Sequence, residues 1–392
     1  MKILISSMSI QYFQNYIRSF YFAKYLVKQG HQVTLLTASP AKKWYKFAIE
    51  SHYGVRVIVI PDIVNWRLRR GGLGPVNFLF RLFFLLFVKF DVYHGDGHRP
   101  AVLFPILLSR KIYKKPFISE WMDIFGEGGI HDKRSKVEKF LIGFYDRYFE
   151  KRTRQLANGT IVLSRALYQK VKGFQVKDEN ILLLHGGADI DEIKVLPKID
   201  CRKKLNLPQN RFIVGLVGIN KDDLPDLEVL FEALHKMPSH LQKQLLIITT
   251  GSLEKFDQIL EEKHLTHCFH HFGWIDSTLY NAFICACDWM LMPMKDNERN
   301  RNKWPNKLGD FLAAGRPVIS NPVGDIVEYF EKYQIGKLVG FNAKDLKDAI
   351  EASITDKEQA DLLGKNARKL SEEVISWKAH TEQLSQFYQR FV

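Results

Sequence analysis

The segment Asp288-Trp289-Met290-Leu291-Met292-Pro293, the polar and basic loop 295–303, and then Pro305-Asn306-Lys307-Leu308-Gly309-Asp310-Phe311-Leu312-Ala313-Ala314-Gly315-Arg316-Pro317-Val318-Ile319 read as strand, loop, helix and second strand. Pro305 stands at a helix start, and Gly315 followed by Pro317 marks a helix stop. The free amides of a helix N-terminus, with Lys307 on its first turn, form an anion site suited to a diphosphate. Asp310 comes about one turn further in, where a carboxylate accepts hydrogen bonds from the two hydroxyls of a ribose. One helix thus offers both holds that a nucleotide needs, although the same spacing fits a surface helix with ordinary charges.

On either side of this segment, short runs rich in Ile, Val and Leu alternate with longer amphipathic stretches, the pattern of strands buried on both faces by crossover helices. Strands are expected at 2–6, 32–37, 55–60, 92–94, 117–120, 159–163 and 181–184, with helices such as 16–29 and 137–154 between them. A polar connection carrying Pro197 and Pro208 follows, and the alternation restarts at Phe212-Ile213-Val214-Gly215-Leu216-Val217-Gly218, with further strands at 245–250, 268–272, 289–292 and 317–320. The expected organisation is therefore one doubly wound α/β domain over 1–190, a linker at 191–210, a second such domain over 211–375 and a terminal helix at 376–392. Parallel α/β domains place ligands outside the carboxyl ends of their strands, so the expected site is a cleft where the two domains face each other.

The bulk numbers fit this reading. With 392 residues, 46% of them hydrophobic, the chain has material for two large cores, which excludes a disordered, collagen-like or small disulfide-stapled protein. The net charge of +14 is uneven: residues 1–190 hold 30 Lys and Arg against 14 Asp and Glu, and residues 191–392 hold 27 against 29. A basic first half suits an anionic partner, be it a phospholipid surface, a diphosphate-bearing acceptor or nucleic acid. Four cysteines without a Cys-x-x-Cys pair or nearby zinc-spaced histidines support neither a metal knuckle nor a redox motif. They fit a reducing cytoplasm. The apolar run at the N-terminus is too short for a signal peptide, and the greasiest stretch, 78–90, includes Arg81 and Lys89 and falls short of the roughly 20 apolar residues that span a bilayer.

The pattern Pro305-x-Lys307-x-x-Asp310-x-x-Ala313-x-Gly315-x-Pro317-Val318-Ile319, followed by Gly324-Asp325-Ile326-Val327-Glu328, resembles the donor-site signature of family-4 glycosyltransferases of the two-domain GT-B fold. Further pieces resemble that family in the same order: Gly30-His31-Gln32-Val33, Asp91-Val92-Tyr93-His94, Ile161-Val162-Leu163-Ser164, and His185-Gly186-Gly187-Ala188-Asp189. Trp377 precedes a helix that in the family crosses back to the first domain. The resemblance implies two Rossmann-like domains, the second binding a nucleotide-diphosphate sugar of the UDP or GDP type and the first binding an acceptor. It further implies transfer with retention of configuration and without a cofactor or metal, the helix terminus stabilising the leaving diphosphate. By this resemblance Gly218, Lys221, Asn306, Lys307 and Asp310 hold the donor nucleotide, Asn302 and Asp325 hold the sugar, and His94 and Asp123 line the reaction centre.

There are departures from the family. Its two carboxylates are separated by seven residues, and counting back from Asp310 gives Asn302, so the sugar contact passes to an amide, or to Asp296 or Glu298. Its Arg and Lys after the first strand of the second domain are missing, since Gly218 is followed by Ile219-Asn220-Lys221-Asp222-Asp223, so either Lys221, Arg299, Arg301 or Lys303 compensates at the diphosphate or donor binding is weakened. In the first domain Ser6-Ser7-Met8-Ser9 stands where glycines are common, leaving hydroxyls to face the acceptor, and Met122 replaces a His before Asp123. His98 and Arg99 share a glycine-bearing loop with His94 and Asp96.

The anionic partner of the first domain is expected to be a membrane surface. Aromatic and aliphatic residues interleave with Arg67, Arg69, Arg70, Arg81, Lys114 and Lys115, which suits either acceptor binding or a segment lying at an anionic bilayer; a buried crossover helix would explain 78–90 equally well. Nucleic acid is not expected, because most aromatics fall within core patterns. The function expected is therefore a cytoplasmic glycosyltransferase, peripheral on the inner face of the cell membrane, passing a sugar to a lipid-linked or polysaccharide-precursor acceptor. A non-catalytic homologue acting as a partner protein, or a nucleotide-sugar epimerase on the same fold, are the alternatives.

Overall fold

The computed structural model describes residues 1–13, 15–126, 129 and 134–392. It divides into two compact units, Met1–Gly186 together with Trp377–Val392, and Gly187–Ser376.

The first unit is an eight-stranded sheet made of β1 (Lys2–Ile10), β2 (Gln32–Ala38), β3 (Ala48–His52), β4 (Val55–Ile60), β5 (Val92–Gly95), β6 (Phe117–Trp121), β7 (Gly159–Val162) and β8 (Ile181–Leu183). Its order is β3-β4-β2-β1-β5-β6-β7-β8, parallel except for the β3–β4 hairpin. That hairpin turns at Tyr53 and Gly54, both with positive φ, and its outer strand exposes Ile49, so the alternation that marks a buried strand is missing there. Helices cover both faces. Asn15–Lys28 and the terminal Trp377–Gln389 bury Phe22, Leu26, Trp377, Leu384 and Phe387 on one face. On the other, Pro75–Phe87 and Pro100–Tyr113 bury Leu85, Val102 and Ile106, and Lys136–Leu156 adds Phe149.

By length and composition the run Trp66–Phe87 suffices to cross a membrane. In the fold it is two helices, Trp66–Arg70 and Pro75–Phe87, interrupted at residues 71–74, and Asn77 and Arg81 of the second point into the sheet.

The second unit has six parallel strands, β9 (Phe212–Ile219), β10 (Leu245–Gly251), β11 (Phe269–His271), β12 (Trp289–Met292), β13 (Val318–Ser320) and β14 (Gly336–Leu338), in the order β11-β10-β9-β12-β13-β14. This is the order of a dinucleotide-binding sheet, and the direction of strand addition reverses between β9 and β12. β14 has only three half-buried residues, which explains why its pattern was too weak to read.

Residues 191–210 are not a free linker. They contain the helix Lys198–Lys204, whose Arg202 donates to the carbonyls of Ala286, Gln209 and Arg211 and pairs with Asp288 at 2.7 Å. The second unit begins at Gly187 because the Ala188 amide donates to the Ile375 carbonyl and Gly309 lies against Gly187 and Ala188, tying its two ends together.

Candidate functional site

Because β9 and β12 are neighbours whose connections leave in opposite directions, no crossover covers the crevice at their carboxyl ends. A shallow depression lies there, lined among others by Val217, Ile219, Asp223, Met292, Pro293 and Lys307. The helix Asn306–Ala313 starts at its rim. Pro305 is the N-cap residue; its carbonyl takes the Leu308 amide at 3.0 Å, and its side chain offers no cap to the amides of Asn306 and Lys307.

Lys307 extends from this turn to the end of β9, where its ammonium donates to the carbonyl of Val217 and, at 3.4 Å, to that of Gly218. Gly218 has φ +67, and a Cβ there would stand 3.1 Å from Lys307 Nζ, so a glycine permits both the turn and the approach of the lysine. The Gly218 amide donates to Thr250 Oγ1 at 3.0 Å. Burial pushes the ammonium's pKa down, partly offset by Asp223. Gly218 and Lys307, far apart in sequence, therefore meet at one place, with Asn306 beside Lys307 on the first helical turn.

Asp310, one turn into the same helix, is half-buried and accepts from the Tyr280 hydroxyl at 3.0 Å. Burial, with the charges of Asp189 and Glu192, pushes its carboxyl up to about 7. Tyr280 comes from the helix Ser277–Ala286 and carried no sequence signal of this role, since only folding brings it beside Asp310.

The loop after β9 presents acid rather than base. Asp223 accepts from the Asn220 amide at 2.9 Å and from its side chain at 2.6 Å, which closes the turn, while Lys221 is exposed on it. Asp226 is pushed up by burial and by Asp223. Lys303 is half-buried, with a pKa lowered by burial and by Arg299 and Lys307, and it faces Asp223 and Asp226. Arg301 makes a two-pronged pair with Asp296 at 2.6 and 2.7 Å, so its charge is answered on the spot, whereas Arg299 is exposed beside Lys303. Lys303 is thus coupled electrostatically to both Lys307 and the acidic turn.

Asn302 caps the short helix Glu298–Arg301, and its side-chain amide donates to the Glu298 carbonyl at 2.7 Å. Asp325, buried, is the first residue after Gly324, whose φ is +67 and which packs on the carbonyls of Asn300 and Arg301. The two residues expected at the sugar therefore come from turns that pack against each other.

In the first unit the structure corrects several expectations. His94 is 0% exposed, with Tyr388 Oη 2.5 Å from Nδ1 and Glu120 Oε2 3.2 Å from Nε2. Glu120 also takes Arg18 at 2.6 Å, and Arg18 donates onward to the carbonyls of Leu184 and His185. This is a core network. His94 joins the sheet to the terminal helix and does not line a reaction centre. His98 is likewise buried against Asp146 at 2.9 Å, and burial pushes its pKa down to about 3. Asp123, by contrast, is exposed just beyond β6.

The serines expected to face an acceptor are engaged internally, because β1 continues to Ile10 instead of stopping at Ser6. Ser7 donates to Asp96 at 2.5 Å, Met8 donates its amide to the same carboxylate at 2.6 Å, and Ser6 receives Arg81 at 2.8 Å. Arg69 and Arg81 are buried, Arg69 donating to the carbonyls of Pro40, Ala41 and Val64, so neither meets an acceptor or a membrane. Arg67 and Lys114 are exposed, Arg70 lies over Phe13 and Trp66, and Lys115 sits 3.7 Å from Asp91.

Residues 18–192 match the model of Glycosyltransferase Family 4, and residues 211–356 match that of Glycosyl transferases group 1. An uncharacterized glycosyltransferase of Methanocaldococcus jannaschii, MJ1069, is 20% identical over 261 residues, 66% of this chain. The match spans 65% of that protein's length, a little under two thirds. Among solved structures, sucrose-phosphate synthase from Thermosynechococcus elongatus is similar with a TM-score of 0.73 at 18% identity, covering 100% of this chain and 99% of that one. Anabaena Alr3699/HepE, solved in complex with UDP and glucose, is similar with the same TM-score and identity, covering 100% of both chains.

Proposed function

The chain belongs to the family-4 glycosyltransferases of GT-B fold, and on that footing we propose that it is a retaining enzyme that moves a sugar from a nucleotide-diphosphate donor to a lipid-linked or polysaccharide-precursor acceptor. It acts at the cytoplasmic face of the membrane and without a metal. The observation that carries the donor half of this reading is the meeting of Lys307 with the end of β9 beside the Asn306 and Lys307 amides, which have no side-chain cap from Pro305. There the amides and the ammonium take the diphosphate, and Lys307 exchanges two carbonyl partners for phosphate oxygens. Asp310, held by Tyr280, accepts the ribose hydroxyls.

In the transfer, the bond from the anomeric carbon to the phosphate oxygen breaks, a bond to the acceptor oxygen forms, and the acceptor hydroxyl's proton passes to the departing phosphate oxygen. Negative charge grows on the departing diphosphate, where the first-turn amides and Lys307 are already oriented to meet it. Asn302 and Asp325 flank the sugar, and Asp123, exposed just beyond β6 where His94 is buried, faces the acceptor. UDP is the donor base we favour, because a structurally similar protein has been solved with UDP and glucose.

The experiment is a thermal-shift panel of UDP, GDP, ADP and CMP, with and without EDTA, on the wild type and on Asp310→Ala. A nucleotide at about 100 times its Kd adds roughly 2.7 kcal/mol of stability. The reading requires one nucleotide to raise Tm in the presence of EDTA and the substitution to abolish the rise. A second reading, a homologue without turnover, is favoured by Asn302 in place of a carboxylate and by the acidic turn after β9, where Asp223 and Asp226 stand instead of a basic pair. It predicts either that none of the nucleotides raises Tm or that one does and no sugar is transferred.

A further inference from the structure

The outer surface of the first unit carries three apolar stripes on neighbouring helices. On the helix Pro75–Phe87, Leu79, Phe83 and Phe87 are exposed while Asn77, Arg81 and Leu85 are buried, two stripes at i, i+4, i+8 spacing on opposite sides of the helix. Phe87 is 82% exposed. On the helix Pro100–Tyr113, Leu108 and Ile112 repeat the spacing. On the helix Lys136–Leu156, Phe140, Phe144 and Tyr148 repeat it again, Phe140 at 84% and Phe144 at 72% exposure.

These helices form one layer. All three pack on the same face of the sheet, the first two directly against each other, and the second meets the third through Phe104, whose ring lies 5.4 Å from that of Phe149 and 6.4 Å from that of Tyr145. Their inward aromatics build the core, so the outward ones are surplus to folding. Exposed apolar stripes on neighbouring helices, surplus to the core, mark a docking face.

Charge decides what docks. Exposed cations border each stripe: Lys89 follows Phe87, Lys111 and Lys114 flank Ile112, and Arg147 and Lys151 flank Tyr148. Among the described residues, Glu138 is the exposed carboxylate on these three helices, since Asp146 and Glu150 are buried. A second copy of the chain would set cationic rims against each other. A surface that accepts Phe and Leu side chains and offers phosphates to Lys and Arg meets both demands.

We propose that this three-helix face seats the first unit on an anionic lipid bilayer, with the Phe83–Phe87 and Phe140–Phe144 pairs entering the headgroup boundary and the flanking cations meeting lipid phosphates. The proposal rests on the membrane-face reading above and moves its contact from Arg69 and Arg81, which are internal, to these stripes.

The test is flotation of the full chain with vesicles of phosphatidylcholine alone and of phosphatidylcholine mixed with phosphatidylglycerol, at low and high salt. Binding is expected to the mixed vesicles, weakening with salt. The double variants Phe83→Ser/Phe87→Ser and Phe140→Ser/Phe144→Ser should each lower partitioning by about tenfold or more, with Tm unchanged. Trp44→Ser/Tyr45→Ser, exposed aromatics outside these helices, should bind as the wild type. Failure of the wild type to float with mixed vesicles, equal binding to neutral ones, or undiminished binding by both stripe variants overturns the proposal. So does a dimer that the stripe variants dissociate. Nucleotide-induced stabilisation reads the donor site without vesicles, so a chain that binds nucleotide but not vesicles loses this inference alone.

Discussion

Tyr280 donates its hydroxyl to Asp310 across 3.0 Å, linking two helices of the second unit and leaving the carboxylate one strong neutral partner against the charges of Asp189 and Glu192. The ribose hold proposed for Asp310 needs the ionised form, which this hydrogen bond favours and burial opposes. Nucleotide affinity should therefore rise with pH through about 7, the value to which Asp310 is pushed, and level off above it. Tyr280→Phe should move that rise to higher pH and lower affinity at neutral pH by about fivefold to tenfold. Calorimetric titrations of the nucleotide across the pH range check both.

The same carboxyl sets a stability trend in the empty protein. Its pKa is raised from 3.8 when unfolded to about 7 when folded, so the folded state holds the extra proton between these values. The contribution is fully present below 3.8 and is lost as pH rises through about 7. Asp310→Asn should thus be about 1–2 kcal/mol more stable than the wild type at pH 8, with no gain at pH 4, while nucleotide no longer stabilises it. Urea unfolding at the two pH values measures the difference.

Lys307 is expected to serve the phosphates and not the fold, because its ammonium is partly desolvated and bound to two carbonyls. Lys307→Met should leave Tm nearly unchanged and weaken a nucleoside diphosphate by tenfold or more, about 1.4 kcal/mol. The corresponding monophosphate should lose less. Equal losses for both ligands in a binding titration would place Lys307 away from the terminal phosphate.

Glu120 joins Arg18 and His94 in the core of the first unit. Against the burial that would raise it, Arg18 and His94 hold its carboxyl down to about 2. This stability is present above the unfolded value of 4.5 and is lost as pH falls through about 2. Glu120→Gln removes the carboxylate that answers Arg18, leaving its buried charge with the neutral Leu184 and His185 carbonyls, and should cost about 3–5 kcal/mol. It should also flatten the acid side of the stability profile, which denaturant unfolding between pH 2 and pH 5 will reveal.

Much of the donor site was legible in the order of the residues. Pro305, Lys307 and Asp310 belong to one helix, and local spacing fixes which side chains share its first turns; Gly218 ends an apolar run that forms a strand wherever it is buried. Tyr280 was not legible, because its partner is thirty positions away and nothing local distinguishes it from a core tyrosine. His94 misled for the converse reason. A histidine at the carboxyl end of a strand suits a ligand site, but Tyr388, nearly three hundred residues later, closes over it.

The charge excess of the first half was likewise plain from composition, but not which cations face outward. Arg69 and Arg81 look like their exposed neighbours in a linear reading and differ only in pointing inward, where backbone carbonyls and Ser6 receive them. Local periodicity and residue chemistry determined by themselves the buried strands, though not the edge strands β3 and β14, together with the helix that opens the donor site and the two α/β units of the chain. Which groups stay in water, which lose it, and so which carboxylates and cations remain available to a ligand was decided only by tertiary structure, because burial and long-range pairing depend on residues that sequence distance conceals.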